Sequence, residues 1–162
     1  MKMKEMFQNN DILLITICFG LFLCFNFSRI VGDAMLSSGM SFLAAYSAVI
    51  VLTNVIPLFL IFLGFWKVLP FIAFCILFVI RFAGTIFADL VVFQAPIELL
   101  AIPAYLIDLT IASILLGIFA TGVSFLDRKK KIGLSLIAIS LILFFIHLGI
   151  MIMPILFGNF ML

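Results

Sequence analysis

Charge is what this 162-residue chain has least of: 10% of its residues are Asp, Glu, Lys or Arg, and there is a single histidine. Water-soluble domains run near a quarter charged and about half apolar. Here 67% of residues are apolar and the mean hydropathy is +1.50. No soluble core holds that much apolar surface, so lipid is the expected solvent for most side chains. One histidine cannot supply both axial ligands of a b-type haem, which disfavours an electron-transfer cytochrome built from this chain alone. Cys18, Cys24 and Cys75 all sit inside apolar runs and form no CxxC pair, so they read as packing residues rather than as zinc ligands or a redox thiol pair. The sequence has no HExxH, no GxSxG and no Walker lysine loop. Neither a metal nor a cofactor is expected. The formal charge of +2 sums over opposite faces and gives no reason to expect nucleic acid.

What is present is apolar length. Hydrophobic stretches cover about 11–31, 41–66, 68–93, 99–125 and 132–157, each long enough for the ~20 residues that span a bilayer. Between them lie a polar turn at Gly32 to Gly39, a weak break at Trp66–Pro70, a turn at Gln94–Glu98, and the charged run Asp127–Lys131. The basic N-terminus ahead of the apolar run superficially resembles a signal peptide. No small-x-small cleavage site follows, so the segment reads as a retained first helix.

Basic residues in short loops set orientation. With five spans, Lys2, Lys4, Lys67 and Arg128 to Lys131 share one side, which is seven of the nine basic residues. Splitting 41–66 at Pro57, or removing a span, scatters them. The expectation is an all-α integral membrane protein: a single transmembrane domain over 1–162, a bundle of about five helices, N-terminus cytoplasmic and C-terminus outside. The matching location is a bacterial-type cytoplasmic (inner) membrane.

Polar residues inside the spans carry the functional expectation, because an ionisable group in hydrocarbon is costly and marks a site by default. Reflecting each helix about its loop at 1.5 Å per residue brings Asn54 level with Arg81. Asp108 comes level with Thr85, and His147 lies within about a turn of Asp108. Arg81 shares a face with Gly84, Thr85 and Ala88; Asp108 shares one with Ala101, Ala104, Ala112 and Gly122. Small residues let membrane helices approach closely, so the third and fourth helices are expected to pack through these stripes with Arg81 paired to Asp108. Ser113, Gly117 and Thr121 form a second stripe on the fourth helix, suited to another helix or a second copy of the chain. His147 is expected to hydrogen-bond within the core, with Ser140 its nearest candidate. Asn54 is expected to serve backbone groups freed by Pro57. Arg29 and Asp33 read as a surface ion pair at spacing i, i+4, and Asp89 as solvated near the interface.

The binding or ion-coupling candidates are therefore Asn54, Arg81, Thr85, Asp108 and His147. The leading functional expectation is a binding or transport component for a small anionic ligand, assembled as a homo-oligomer or within a larger membrane complex. Behind it stand a non-catalytic accessory subunit, and then a membrane-embedded enzyme acting on a lipid or isoprenoid with Asp108 and His147 as acid and base. An enzyme is the less favoured class.

Overall fold

The computed structural model describes residues 10–92 and 103–157. In chain order it contains α1 (Asn10–Ser37), α2 (Phe42–Ile50), a π-helical turn (Val51–Val55), α3 (Ile56–Gly64), α4 (Pro70–Phe78), a second π turn (Val79–Ala83), α5 (Gly84–Phe87), a third π turn (Ala88–Val92), α6 (Pro103–Phe125) and α7 (Lys130–Phe157). Among the described residues these segments make five helices long and apolar enough to cross a membrane: Asp11–Ser37, Ser47–Gly64, Pro70–Leu90, Tyr105–Phe125 and Lys130–Ile150. The expected turn at Gln94–Glu98 lies outside the described residues.

One expected boundary is corrected. Gly32 and Asp33 do not end the first helix, which runs on to Ser37. Gly32 is instead a contact residue, since a Cβ there would stand 2.9 Å from Val49 Cγ2 on the second span. The helix ends where Gly39 takes a φ of +83°, a left-handed conformation that glycine adopts without steric cost. Met40 N–H bonds Met35 O and Gly39 N–H bonds Leu36 O, both at 3.1 Å, closing the Schellman-type cap. Ser41 then caps α2 by accepting from Ala44 N–H at 3.3 Å.

The second span bends its hydrogen-bond ladder where Pro57 demands it. Proline has no N–H to offer the carbonyl four residues earlier, and just before it the ladder widens to i→i+5, with Ile56 N–H bonding Val51 O. α4 begins on Pro70 at its first position, where the missing N–H costs nothing.

α6 is the hub. Of its span 56% of residues are buried, against 17–28% in the other four, and it packs against α4, α7 and α3. An apolar core joins the first four spans near the Phe65–Leu69 connection, built from Leu21, Phe25, Ile61, Phe65, Leu77 and Val123 with their neighbours. The outward faces carry large apolar side chains, among them Phe71, Ile15 and Phe145 at 68–78% exposure. Outward faces of this kind are compatible with a membrane location.

Two contacts set the register around α6. Thr121 Oγ1 donates to Gly117 O at 2.8 Å and lies 3.3 Å from Pro70 O, and Gly117 lies against the Phe74 ring, 2.7 Å from where a Cβ would sit. On the other side the backbones of Gly122 and Gly133 meet: a Cβ on Gly133 would stand 2.7 Å from Gly122 O.

Candidate functional site

The Gly122–Gly133 contact positions the site from a distance. Asp108 precedes Gly122 by 14 residues and His147 follows Gly133 by 14. In antiparallel helices equal steps of ~21 Å bring the two back level. His147 Nε2 and Asp108 Oδ1 are 2.9 Å apart, with His147 14% exposed and Asp108 35%. This geometry suits a carboxylate orienting an imidazole. Ser140 is not the partner of His147, because its hydroxyl donates to Ile137 O in its own helix.

The facing of α6 is the reverse of the expected one. The Asp108, Ala112 and Gly122 stripe meets α7, while Ser113, Gly117 and Thr121 face the third span. Ser113 is fully buried, so this second stripe is spent within the chain and offers nothing to a second copy. The side chains of Ala101 and Ala104 lie outside the described residues. The stripe of Arg81 turns toward α1: Gly84 packs on the Phe22 ring and the Arg81 guanidinium carbon stands 4.5 Å from the Phe25 ring centroid. Such a cation–π contact contributes ~0.5–2 kcal/mol.

Arg81 and Asp108 nevertheless meet across a shared space. The Thr121–Pro70 contact brings Arg81 level with Thr110, one short step of about 3 Å from Asp108. They do not form an ion pair; Asp108 bonds His147 instead. Two adjoining cavities use both residues as walls. One, of about 200 Å³, is lined by Phe25, Asn26, Ser28, Thr85, Asp89 and Tyr105 as well as Thr53, Arg81 and Asp108. The other, of about 160 Å³, adds Asn54, Ala112 and His147 to those three shared residues. All five expected residues thus line this pair of cavities, the chamber, whose two lobes share Thr53, Arg81 and Asp108 as walls.

Within it, Arg81 Nε and Thr85 Oγ1 are buried and have no hydrogen-bond partner among the described residues. An unsatisfied buried polar group costs ~1–3 kcal/mol, more when charged. The two lie four residues apart on one helix face. Asn54 does not serve the proline-freed backbone; its Nδ2 donates to Thr53 Oγ1 at 3.0 Å, and Thr53 Oγ1 donates to Val49 O at 2.8 Å.

Asp89 overturns its expectation as a solvated residue. It is 7% exposed and accepts a hydrogen bond from the Tyr105 hydroxyl. Tyr105, Asn26 and Ser28 were not anticipated either. Asn26 Nδ2 donates to Phe22 O at 2.7 Å and Ser28 Oγ to Phe25 O at 3.0 Å. Their signal was available: Asn26 and Ser28 are polar residues interrupting the first apolar run, and Tyr105 is one of only two tyrosines. The Arg29 side chain lies outside the described residues, while Asp33 is exposed.

The three π turns each carry chamber residues: Thr53 and Asn54, then Arg81, then Asp89. A π turn rotates the side chains that follow and recurs at functional sites. Comparison with known proteins adds no assignment: no protein-family model, curated protein or solved structure matches the chain.

Proposed function

We propose that the chain is an integral membrane protein whose chamber binds a small anion, as the binding or transport component of a membrane system. The single observation that carries this is the pair of buried polar groups, Arg81 Nε and Thr85 Oγ1, left without partners in two residues that line one cavity. An anionic oxygen satisfies both, and guanidinium binds carboxylate and phosphate oxygens in a fixed fork.

The electrostatics favour entry of a proton with the anion. Asp108 shares the cavity walls with Arg81, so an entering anion meets a carboxylate beside the guanidinium and is favoured when a proton accompanies it. His147, bonded to Asp108, is the group placed to take that proton, and its positive form strengthens the bond. Anion and proton together cross hydrocarbon without net charge, which removes the largest cost of carrying an ion. Orientation follows the basic residues, with the Trp66–Lys67 and Asp127–Lys131 connections cytoplasmic. Assembly with a second copy or a partner falls to faces other than the Ser113 stripe.

The test uses purified protein in nanodiscs with acetate and inorganic phosphate as probes. One of them is expected to raise the melting temperature saturably, and Arg81→Gln to abolish the rise while the protein remains folded. Equal shifts in both proteins overturn the site. A second reading rests on the Arg81–Phe25 contact: if Arg81→Gln melts far lower and neither protein responds to anions, the residue pins α1 to the third span and the protein is an accessory subunit.

A further inference from the structure

A second binding feature lies between the first and third spans, away from the chamber. At the Phe65–Leu69 connection a cavity of about 350 Å³ is walled by Asp11, Leu14, Trp66, Lys67, Leu69 and Ile72. A groove of about 530 Å³ shares Leu14 with it and continues along Ile15, Cys18, Ile76, Val79 and Ile80. The two are stacked along the helices. Asp11, Leu14 and Cys18 are successive turns of one face of α1; Ile72, Ile76 and Ile80 are successive turns of one face of the third span. From Ile72 in the cavity to Ile80 in the groove the two together run ~12 Å. Among the described residues the mouth carries one positive and one negative side chain, Lys67 and Asp11, both exposed; the groove beyond is apolar.

We propose that this crevice binds one phospholipid with a zwitterionic, primary-amine head group. Lys67 takes the phosphate and Asp11 the ammonium. One acyl chain lies along Leu14, Cys18, Ile76 and Ile80. The charge pattern selects the occupant. A purely anionic head group leaves Asp11 facing like charge. A quaternary ammonium has no N–H to donate to it. The groove opens sideways, with Ile15 68% and Val79 58% exposed, so a chain enters from the bilayer without passing a helix. Trp66 borders the mouth, its Nε1–H bonded to Phe62 O and its ring edge-on to Phe62 at 5.2 Å. An indole at that position is typical of the head-group level. The proposal shares with the chamber only the membrane reading; it uses none of the chamber's residues.

Trp66 is the chain's only tryptophan, so intrinsic fluorescence reports this site alone. The protein is placed in phosphatidylcholine vesicles containing a small fraction of brominated lipid, and quenching of the tryptophan emission is compared between head groups. Brominated phosphatidylethanolamine is expected to quench about 1.4- to fivefold more than brominated phosphatidylcholine at equal fraction, the range of an exposed ion pair. Asp11→Asn brings the two to parity, and Lys67→Gln weakens quenching by brominated phosphatidylethanolamine. Both positions are exposed, so the variants keep the fold. Equal quenching in the wild-type protein means an ordinary boundary lipid and overturns the proposal. Stronger quenching by brominated phosphatidylglycerol also overturns it. Absence of quenching by every lipid overturns it too, and the membrane reading with it unless a second copy is found to cross-link across the groove.

Discussion

Gly133→Ala is expected to destabilise the protein although alanine is the better helix former. The added Cβ would lie 2.7 Å from Gly122 O and 2.8 Å from Leu126 N, and ordinary contact begins at 3.4 Å. The clash is with backbone, so α6 and α7 must part locally by about 0.7 Å, the difference between 3.4 and 2.7. Overpacking of this kind costs ~1–3 kcal/mol, against ~1 kcal/mol gained in helix propensity. The control is Gly149→Ala in the same helix, where a Cβ would meet nothing within 4 Å; only the propensity gain remains, up to ~1 kcal/mol. Thermal unfolding in one detergent checks both. At ~2–4 °C per kcal/mol for a chain of this size, the first variant melts lower and the second equal or higher. If Gly133→Ala melts at or above wild type, these helices do not meet backbone to backbone. The register argument for the Asp108–His147 pair then fails with it.

Other consequences follow from single contacts. A double-mutant cycle over Asp108→Asn and His147→Gln should return a coupling of ~0.6–1.7 kcal/mol, the range seen for polar pairs within membranes; a value near zero removes the pair. Tyr105→Phe deletes the hydroxyl that donates to Asp89 and should cost ~1.5–3 kcal/mol, the worth of a hydrogen bond to a charged acceptor. An unchanged melting temperature contradicts that bond. Phe25→Leu removes the ring beneath Arg81 and should cost ~0.5–2 kcal/mol beyond lost packing, read by comparing Phe25→Leu in the wild-type and Arg81→Gln backgrounds.

The spans were legible because hydropathy and turn residues act locally: Trp66–Pro70 and Asp127–Lys131 break the helices near where the sequence places them. Gly32–Asp33 misled because a glycine in a helix can mark a close neighbour as well as an end, and only the position of Val49 distinguishes the two. Facing was harder. Both small-residue stripes of α6 are real packing surfaces, yet periodicity alone cannot say which neighbour takes which, and the assignment reversed. The levels of Asp108 and His147 were readable to within a turn. Their contact depends on the backbone approach at Gly122 and Gly133, a tertiary fact. The π turns had no local signature apart from Pro57, so the inward aim of Asp89 could not be anticipated. The comparison of depth gathered Asn54, Arg81, Thr85, Asp108 and His147 in one layer; Thr85 lines one cavity and Asn54 and His147 the other, with Arg81 and Asp108 on both.

The proposed site requires that Arg81 Nε–H await an anionic acceptor. The chain contains three arginines, Arg29, Arg81 and Arg128, so a ¹⁵N spectrum of the side-chain Nε–H groups holds three resonances, and Arg81→Lys identifies the relevant one. Titration with acetate or inorganic phosphate is predicted to move that resonance saturably and leave the others in place. An Arg81 resonance that stays fixed while Arg128 drifts with ionic strength contradicts the account.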